Sequence, residues 1–283
     1  MPEFMQSVAA AFAFALLSWW LGTGLILWLV RLKASSFRRS LLLASAALLL
    51  GLAGAAYSMR SPGPESAYLA FASVILMWSW HELAFLTGWL TGPRRIALQE
   101  GARGSQRLLQ SIGAVAYHEL ALLLNFAVLW AMQIGQPNHV ALCTFALLWC
   151  MRVSAKFNLF LGVPQTGAQY LPAHLSYLAS YFKRAAVTPF FFLTLTGSAL
   201  TLVWLIAQVH TGLATASTGW VLLATLLGLA IVEHVLMAFP LSIERLWGWA
   251  MNRSSPARPL SEAAVLPTLP GVLPVHTAKA DPP

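Results

Sequence analysis

The chain has 283 residues, of which 58% are hydrophobic and 9% are charged, and its mean hydropathy is +0.70. Soluble domains are about half apolar and roughly a quarter charged, so this composition excludes an ordinary soluble domain and indicates a membrane protein. In such a protein the formal net charge of +8 indicates contact with anionic lipid, so we expect the lipid bilayer as a partner and no nucleic acid. The two cysteines, Cys143 and Cys150, are too few for a disulfide framework and lack the spacing of a zinc site.

Seven apolar runs of spanning length follow one another along the chain. They are predicted at roughly Ser7–Val30, Ser40–Tyr57, Ala67–Leu90, Gln110–Met132, His139–Lys156, Val187–Val209 and Thr218–Phe239. A helix needs about 20 residues to cross the hydrocarbon core of a bilayer. We therefore predict an all-α fold, a polytopic integral membrane helical bundle of about seven transmembrane helices.

The loops on one side of this predicted bundle hold nearly all of the basic residues. Sixteen of the seventeen Lys and Arg residues lie in or beside the first, third and fifth loops or after the last run, and Arg60 lies in a loop of the other side. The sixteen are Arg31, Lys33, Arg38, Arg39, Arg94, Arg95, Arg103, Arg107, Arg152, Lys156, Lys183, Arg184, Arg245, Arg253, Arg258 and Lys279. Because cytoplasmic loops carry an excess of basic residues, we predict a periplasmic N-terminus and a cytoplasmic C-terminus.

Two segments differ from the apolar runs. The segment 158–184 is long for a loop and too apolar to be freely solvated, with Leu175, Leu178 and Phe182 at helical spacing, so we expect it to dock beneath the bundle on the cytoplasmic side. From residue 254 onward the chain is Pro-rich and has little periodicity. We therefore divide the chain into a transmembrane helical bundle domain, residues 1–253, and a disordered cytoplasmic tail, residues 254–283.

Three acidic residues lie inside the apolar runs, and each is adjacent to a histidine. The pairs are His81–Glu82, His118–Glu119 and Glu233–His234. The separations from the nearest basic-loop arginine are 13 residues for His81, 11 for His118 and 11 for His234. At about 1.5 Å per residue these are roughly 16–20 Å, close to the middle of a hydrocarbon core about 30 Å thick. We therefore predict that the three pairs share one level and face the bundle interior, where they can meet.

A shared level of histidine and glutamate has several uses. The simplest is a hydrogen-bonded layer of neutral glutamic acids that holds the helices in register. Alternatively, the layer binds one or two transition-metal ions such as iron, manganese or zinc, or an imidazole ligates the metal of a tetrapyrrole. Proton relay is a further use of such chains. The candidate metal ligands are His81, Glu82, His118, Glu119, Glu233 and His234.

Further polar residues are candidates for the same site. Asn125 is seven residues after the second histidine and on nearly the same helix face, about 10 Å along the axis. Asn158 and His174 belong to the long cytoplasmic segment and are expected to close the site from below. Arg152 and Lys156 are expected either to pair with the acids or to extend toward the interface, and for Lys156 we expect the extended position.

Two stretches of the chain resemble a known family. "HELAFLTGWLTGPRR", which begins at His81, and "NLFLGVPQTGAQYLPAHLSYLASYF", which begins at Asn158, are similar to signature segments of the photosynthetic complex assembly protein 2 family, also called PuhE, of purple phototrophic bacteria. The similarity extends over roughly Ala67–Trp249, and Gln165 departs from the acidic or Asn residue expected after "GVP". The family positions present here are His81, Glu82, Thr87, Gly88, Gly92, Pro93, Asn158, Gly162, Pro164, Pro172 and His174.

The resemblance implies a multi-pass protein of the bacterial inner membrane, cytoplasmic or intracytoplasmic, that is needed to build the photosynthetic reaction centre and its core light-harvesting antenna. It implies bacteriochlorophyll or a precursor as a candidate cofactor, and reaction-centre or light-harvesting subunits as partners. Our first hypothesis is a seven-helix assembly factor that binds such a pigment, or a metal, at the His/Glu layer. The alternatives are an integral-membrane metalloenzyme of (bacterio)chlorophyll biosynthesis and, third, a proton-coupled membrane carrier.

Overall fold

Helices form the architecture of the part of the chain that the computed structural model describes, residues 2–211 and 214–239. The long helices are α1 (Pro2–Val30), α2 (Phe37–Ser58), α3 (Pro64–Leu86), α4 (Gly104–Gln133), α5 (Val140–Leu161), α6 (Pro189–Thr211) and α7 (Ala214–Ala238). Short 3-10 helices occur at Ala34–Ser36, Ala168–Tyr170 and Ala173–Tyr181. The tail, residues 254–283, lies outside the described residues, so its disorder stays a prediction.

The predicted apolar runs correspond one to one to these long helices. Within the described residues, seven helices are long and apolar enough to cross a membrane. The prediction of an all-α, polytopic membrane bundle is therefore confirmed, whereas the orientation of the termini stays a prediction. The end of the bundle where α1 connects to α2, α3 to α4 and α5 to α6 is called the basic end below, because the loops there hold most of the basic residues.

The centre of the bundle is α3, which contacts α1, α2, α5 and α7. Gly51 and Gly54 of α2 face Ser73 of α3, and a Cβ on Gly54 would lie 2.3 Å from the Ser73 hydroxyl oxygen. Glycine therefore lets α2 and α3 approach closely, as small residues do at helix contacts in membranes. Phe71 and Met77 of α3 are fully buried, so this helix supplies much of the core around which the others pack.

The C-terminal end of α3 lies at Leu86 and not at the predicted Leu90. Gly88 follows with φ of +79°, a left-handed conformation that commonly ends helices. The Leu86 carbonyl oxygen lies 2.9 Å from Nε2 of His174, which therefore satisfies a carbonyl that the helix itself leaves without a partner. Because the residues after Leu86 remain apolar, hydropathy alone extended the predicted run past the true end.

The connection after α3 turns back along α4 instead of leaving the bundle. The Thr91 carbonyl accepts a hydrogen bond from the His118 amide at 3.0 Å, and the Arg94 amide donates one to the Gly113 carbonyl at 3.1 Å. A Cβ on Gly92 would lie 2.1 Å from the Gly113 carbonyl oxygen, so this approach requires glycine. The connection thereby inserts into the backbone hydrogen bonding of α4 and fixes His118 beside the end of α3.

The segment between α5 and α6 packs against the basic end of the bundle. A buried cluster at this end consists of Phe85, Ala114, Leu175, Leu178 and Tyr181. Tyr181, the last residue of the 3-10 helix Ala173–Tyr181, is buried, whereas Phe182, which we predicted in the apolar stripe, is half-buried. Arg107 of α4 donates hydrogen bonds to the carbonyls of Phe160 at 2.7 Å and Tyr181 at 2.9 Å, and so ties this segment to both α4 and α5.

Candidate functional site

His81 and His118 meet between α3 and α4. Their ring centroids are 6.5 Å apart, and the two residues are 2% and 0% exposed. Nδ2 of Asn125 lies 3.1 Å from Nε2 of His81, so the Asn125 amide is the hydrogen-bond partner of this imidazole. The structure therefore brings three of the predicted site residues together in one buried cluster.

Several polar atoms of this cluster have no hydrogen-bond partner. Both ring nitrogens of His118 and Nδ1 of His81 are buried in this way. A buried polar group without a partner costs about 1–3 kcal/mol. The Phe85 ring covers one side of His118, with the ring centroids 4.7 Å apart. The cluster therefore has unused donor and acceptor capacity that a bound molecule would satisfy.

Two carboxylates of the predicted layer form ion pairs with cations of α5. Arg152 pairs with Glu82, and Lys156 pairs with Glu119. Trp149, on the same helix, donates a hydrogen bond from its indole nitrogen to Glu119 at 3.2 Å. The expectation that Lys156 extends toward the interface is therefore wrong. The pairing satisfies a carboxylate and an ammonium that hydrocarbon would not solvate.

The two residues of the third pair, Glu233 and His234, lie in different environments. His234 is buried, with Nε2 at 3.0 Å from the Ser154 hydroxyl oxygen and Nδ1 at 2.9 Å from the Ala230 carbonyl oxygen. Glu233 is exposed, in contrast to the inward position that we predicted, and hydrogen-bonds to Trp19 of α1. Neighbouring residues on a helix point about 100° apart, so only one member of this pair turns to the interior.

The three His/Glu pairs are not gathered around one point in the part of the chain that the structure describes. Among residues 2–211 and 214–239, no three His, Cys, Asp or Glu side chains lie close enough together to hold one metal ion. Arg152 and Lys156 moreover occupy two of the carboxylates that a metal centre of this composition would use. The metal-binding role of these six residues therefore stays a prediction, beside the structural, proton-relay and tetrapyrrole alternatives.

The predicted depth of the first pair also needs correction. The predicted depth of His81 assumes one continuous helix from His81 to Arg94. The structure ends α3 at Leu86, little more than one helical turn after His81, and the following connection contacts His118 through Thr91. His81 therefore lies nearer the basic end of its own helix than the sequence indicated, although it still meets His118.

Asn158 and His174 were expected to close the site from the cytoplasmic side, and both have other contacts. Asn158 lies within α5 and not in the following loop, because the helix continues to Leu161. It is fully buried and donates a hydrogen bond to the Ser154 carbonyl at 3.1 Å. His174 lies against the end of α3, as described above. Both residues therefore stabilise the frame around the site.

A large cavity opens beside the Glu119–Lys156 ion pair. It has a volume of about 620 Å³ and lies between α4, α5 and the 3-10 helix Ala173–Tyr181, within the usual size range of small-molecule sites. Its apolar lining includes Phe85, Ile112, Leu120, Leu123, Trp149 and Phe157. Glu119, Lys156 and Arg152 form a polar edge. We call this space the α4–α5 cavity; His118 lies behind its wall, covered by the Phe85 ring.

Comparison with known proteins gives the family of the chain. The family model described as "Protein of unknown function (DUF3623)" matches residues 5–258. The chain belongs to this family. It is also 36% identical over 267 residues to the "Uncharacterized 30.4 kDa protein in puhA 5'region" of Rhodobacter capsulatus, and the match covers 91% of this chain and 94% of that protein. No solved structure matches the chain.

These comparisons give a broader family than the one that the sequence resemblance predicts. The match to residues 5–258 includes both stretches that carry the sequence resemblance and all of the described helices except the first three residues of α1. The narrower family name, PuhE, stays a prediction. The relative adds a genomic position, since its name places it in the puhA 5' region.

Sequence reasoning missed the α4–α5 cavity, and it left open whether the two cations pair with the acids, with the extended position expected for Lys156. A signal for the pairing was present, because Trp149, Arg152 and Lys156 are spaced by three and four residues and so share one face of α5. That face had to meet polar groups of neighbouring helices, since hydrocarbon would not accept it. The cavity has no comparable signal, because it depends on the distance between two helices.

Proposed function

We propose that this protein is an assembly factor for the bacterial photosynthetic reaction centre and core light-harvesting complex, and that it holds bacteriochlorophyll or a precursor in the α4–α5 cavity. The relative in the puhA 5' region, similar over most of both chains, supports a photosynthesis-related role. The sequence resemblance to the assembly protein family supports the narrower role in building the complex.

The observation that carries the pigment-binding part is the chemistry of the α4–α5 cavity. It combines a volume of about 620 Å³ and mostly apolar walls with one edge formed by Glu119, Lys156 and Arg152. Pockets for organic ligands generally join apolar walls to a few polar groups that fix orientation. A bacteriochlorin has the matching form, a large apolar ring with carbonyl substituents at its edge.

The residues of the site have distinct proposed tasks. The walls of the α4–α5 cavity hold the apolar ring and its hydrocarbon tail, while Lys156 and Arg152 hold polar ring substituents. His118 offers unused ring nitrogens behind Phe85, and Asn125 orients His81 within the same cluster. The pigment would supply light absorption once it is delivered to the complex, and the protein keeps it out of the lipid until then.

We further infer the location of the protein from its charge distribution. The protein lies in the bacterial inner membrane, including its intracytoplasmic photosynthetic form, with the basic end of the bundle in the cytoplasm, as the excess of Lys and Arg there supports. Reaction-centre or light-harvesting subunits then contact it through its lipid-facing helices and the loops of the basic end.

The test uses the full-length protein expressed in a phototrophic host and purified in mild detergent. We expect the wild-type protein to retain bacteriochlorophyll or a precursor, detected by absorption and by pigment extraction. Ala116, a half-buried residue of the α4–α5 cavity wall, is changed to phenylalanine to fill the space. We expect Ala116→Phe to lose the pigment and to lower the reaction-centre absorption of the membranes.

The matched control is Ala199→Phe, the same substitution on the exposed face of α6. It adds the same side chain away from the α4–α5 cavity and should retain pigment and complex levels. A wild-type protein without pigment, together with normal complex levels in the Ala116→Phe strain, would contradict the proposal. Iron in the purified protein without pigment would support the metalloenzyme alternative instead.

A further inference from the structure

The α4–α5 cavity reaches the outer surface of the bundle. Ile112, Leu120 and Leu123 of α4 and Phe157 of α5 line it and are also exposed on the surface of the protein. These residues lie in helices that are long and apolar enough to cross a membrane, and in a bilayer their exposed side would face lipid. A ligand therefore enters laterally from the bilayer, between α4 and α5, and need not pass through water.

The polar edge of the α4–α5 cavity restricts the kind of molecule that fits. The side chains of Lys156, Glu119 and Arg152 remain 24%, 28% and 37% exposed, respectively. Charged groups open to hydrocarbon are costly, so a bare acyl chain is a poor occupant. The favoured occupant is amphipathic, with an apolar body against the walls and polar atoms at the edge.

The charges at this edge determine the charge of the favoured occupant. Lys156 and Arg152 are each paired with a carboxylate, Glu119 and Glu82 respectively, so the two pairs balance. An anionic ligand would therefore find no unpaired cation at this edge and would approach the carboxylate of Glu119. A neutral carbonyl, in contrast, can accept a hydrogen bond from the ammonium group of Lys156, which has three donors.

We propose that the α4–α5 cavity selects a neutral, carbonyl-bearing ring whose carboxyl group is esterified, over the same ring as a free carboxylate. This inference rests on the proposed function and narrows its ligand class. It also gives the site a place in a reaction sequence, because the reaction that supplies its ligand must be an esterification of the ring carboxyl group.

The test compares two probes that differ in one charge, pheophorbide a and its methyl ester. Both lack a metal, so ligation by histidine does not contribute. Each is titrated against the purified full-length protein in detergent, and binding is followed by the fluorescence anisotropy of the ring. The free acid brings a second carboxylate near Glu119 with no unpaired cation to compensate it, so we expect the ester to bind at least about tenfold more tightly than the free acid.

Charge variants in the wall of the α4–α5 cavity make the test specific. Glu119→Gln leaves Lys156 without its carboxylate, so we expect the preference to shift toward the free acid. Lys156→Gln leaves Glu119 alone, and the preference for the ester should increase. The matched control is Glu65→Gln at the exposed start of α3, which should leave the preference unchanged.

The outcomes separate this inference from the proposed function. Equal binding of the two probes to the wild-type protein, or tighter binding of the free acid, overturns the charge selection while pigment binding stands. The same conclusion follows if folded Glu119→Gln protein keeps the wild-type preference. Failure of both probes to bind folded wild-type protein counts against the proposed function itself. If the charge variants do not fold, the binding of the two probes to the wild-type protein still tests the charge selection.

Discussion

Arg152 and Lys156 lie four residues apart on α5 and approach acids on two different helices. Arg152 pairs with Glu82 of α3, and Lys156 pairs with Glu119 of α4. Loss of one partner from a buried ion pair costs far more free energy than the pair contributes to stability. The remaining charge is then buried without water or a counter-ion. At the scale of single residues, the two pairs therefore specify which helices are neighbours more than they stabilise the fold.

The pair formed by Arg152 and Glu82 gives a prediction for stability. Arg152→Gln leaves the Glu82 carboxylate, whose side chain is 9% exposed, without its cation. We expect a loss of unfolding free energy of up to about 3 kcal/mol, the low end of the range for a broken buried pair, since Arg152 itself is partly exposed. Denaturant unfolding of the detergent-solubilised protein measures it.

The control is the double variant Arg152→Gln with Glu82→Gln. It removes both charges and keeps side chains that can hydrogen-bond to each other, so it should recover most of the lost stability. A double variant as unstable as Arg152→Gln alone would show that the two residues act separately.

At the scale of elements, the connection after α3 has the largest effect on the site. It approaches α4 through Gly92 and contributes the Thr91 carbonyl to the His118 amide. This approach sets the position of His118 relative to His81 through the backbone. The connection is therefore part of the site. In the sequence, its only visible feature is the glycines that follow α3.

Gly92→Ala is expected to displace this connection. Its Cβ would lie 2.1 Å from the backbone carbonyl oxygen of Gly113, which cannot move as a flexible side chain would. We expect a destabilisation of about 1–3 kcal/mol, as for overpacked cores, and faster exchange of the Arg94 and His118 amides, which hydrogen-bond across this contact. Thermal unfolding and hydrogen–deuterium exchange measure the two effects.

Gly197→Ala on α6 is the matched control, because no atom lies within 4 Å of its added Cβ. Alanine favours a helix over glycine, so this variant should be as stable as the wild type or slightly more stable. Equal stability of Gly92→Ala and Gly197→Ala would contradict the close approach of the connection to α4.

At the scale of the whole molecule, the sequence predicts the helices better than the site. Hydropathy averages over about 20 residues, so it finds spanning helices reliably and places their ends poorly, as at Leu86. The meeting of His81 and His118 follows from the cost of polar groups in hydrocarbon, which turns both inward. The partners of Glu82 and Glu119 depend on the order of the helices around the bundle, which no local pattern contains.

The arrangement of the bundle in the membrane gives the last prediction. Sixteen of the seventeen basic residues lie at or near one end of the predicted bundle, so that end should face the cytoplasm. Single cysteines are introduced by Ser61→Cys, between α2 and α3, and Glu100→Cys, between α3 and α4, in a chain without Cys143 and Cys150. Both positions are exposed. A membrane-impermeant maleimide should label Ser61→Cys in intact spheroplasts and Glu100→Cys only after lysis. The chain without introduced cysteine measures background labelling, and the reverse pattern would place the basic end in the periplasm and contradict the charge argument.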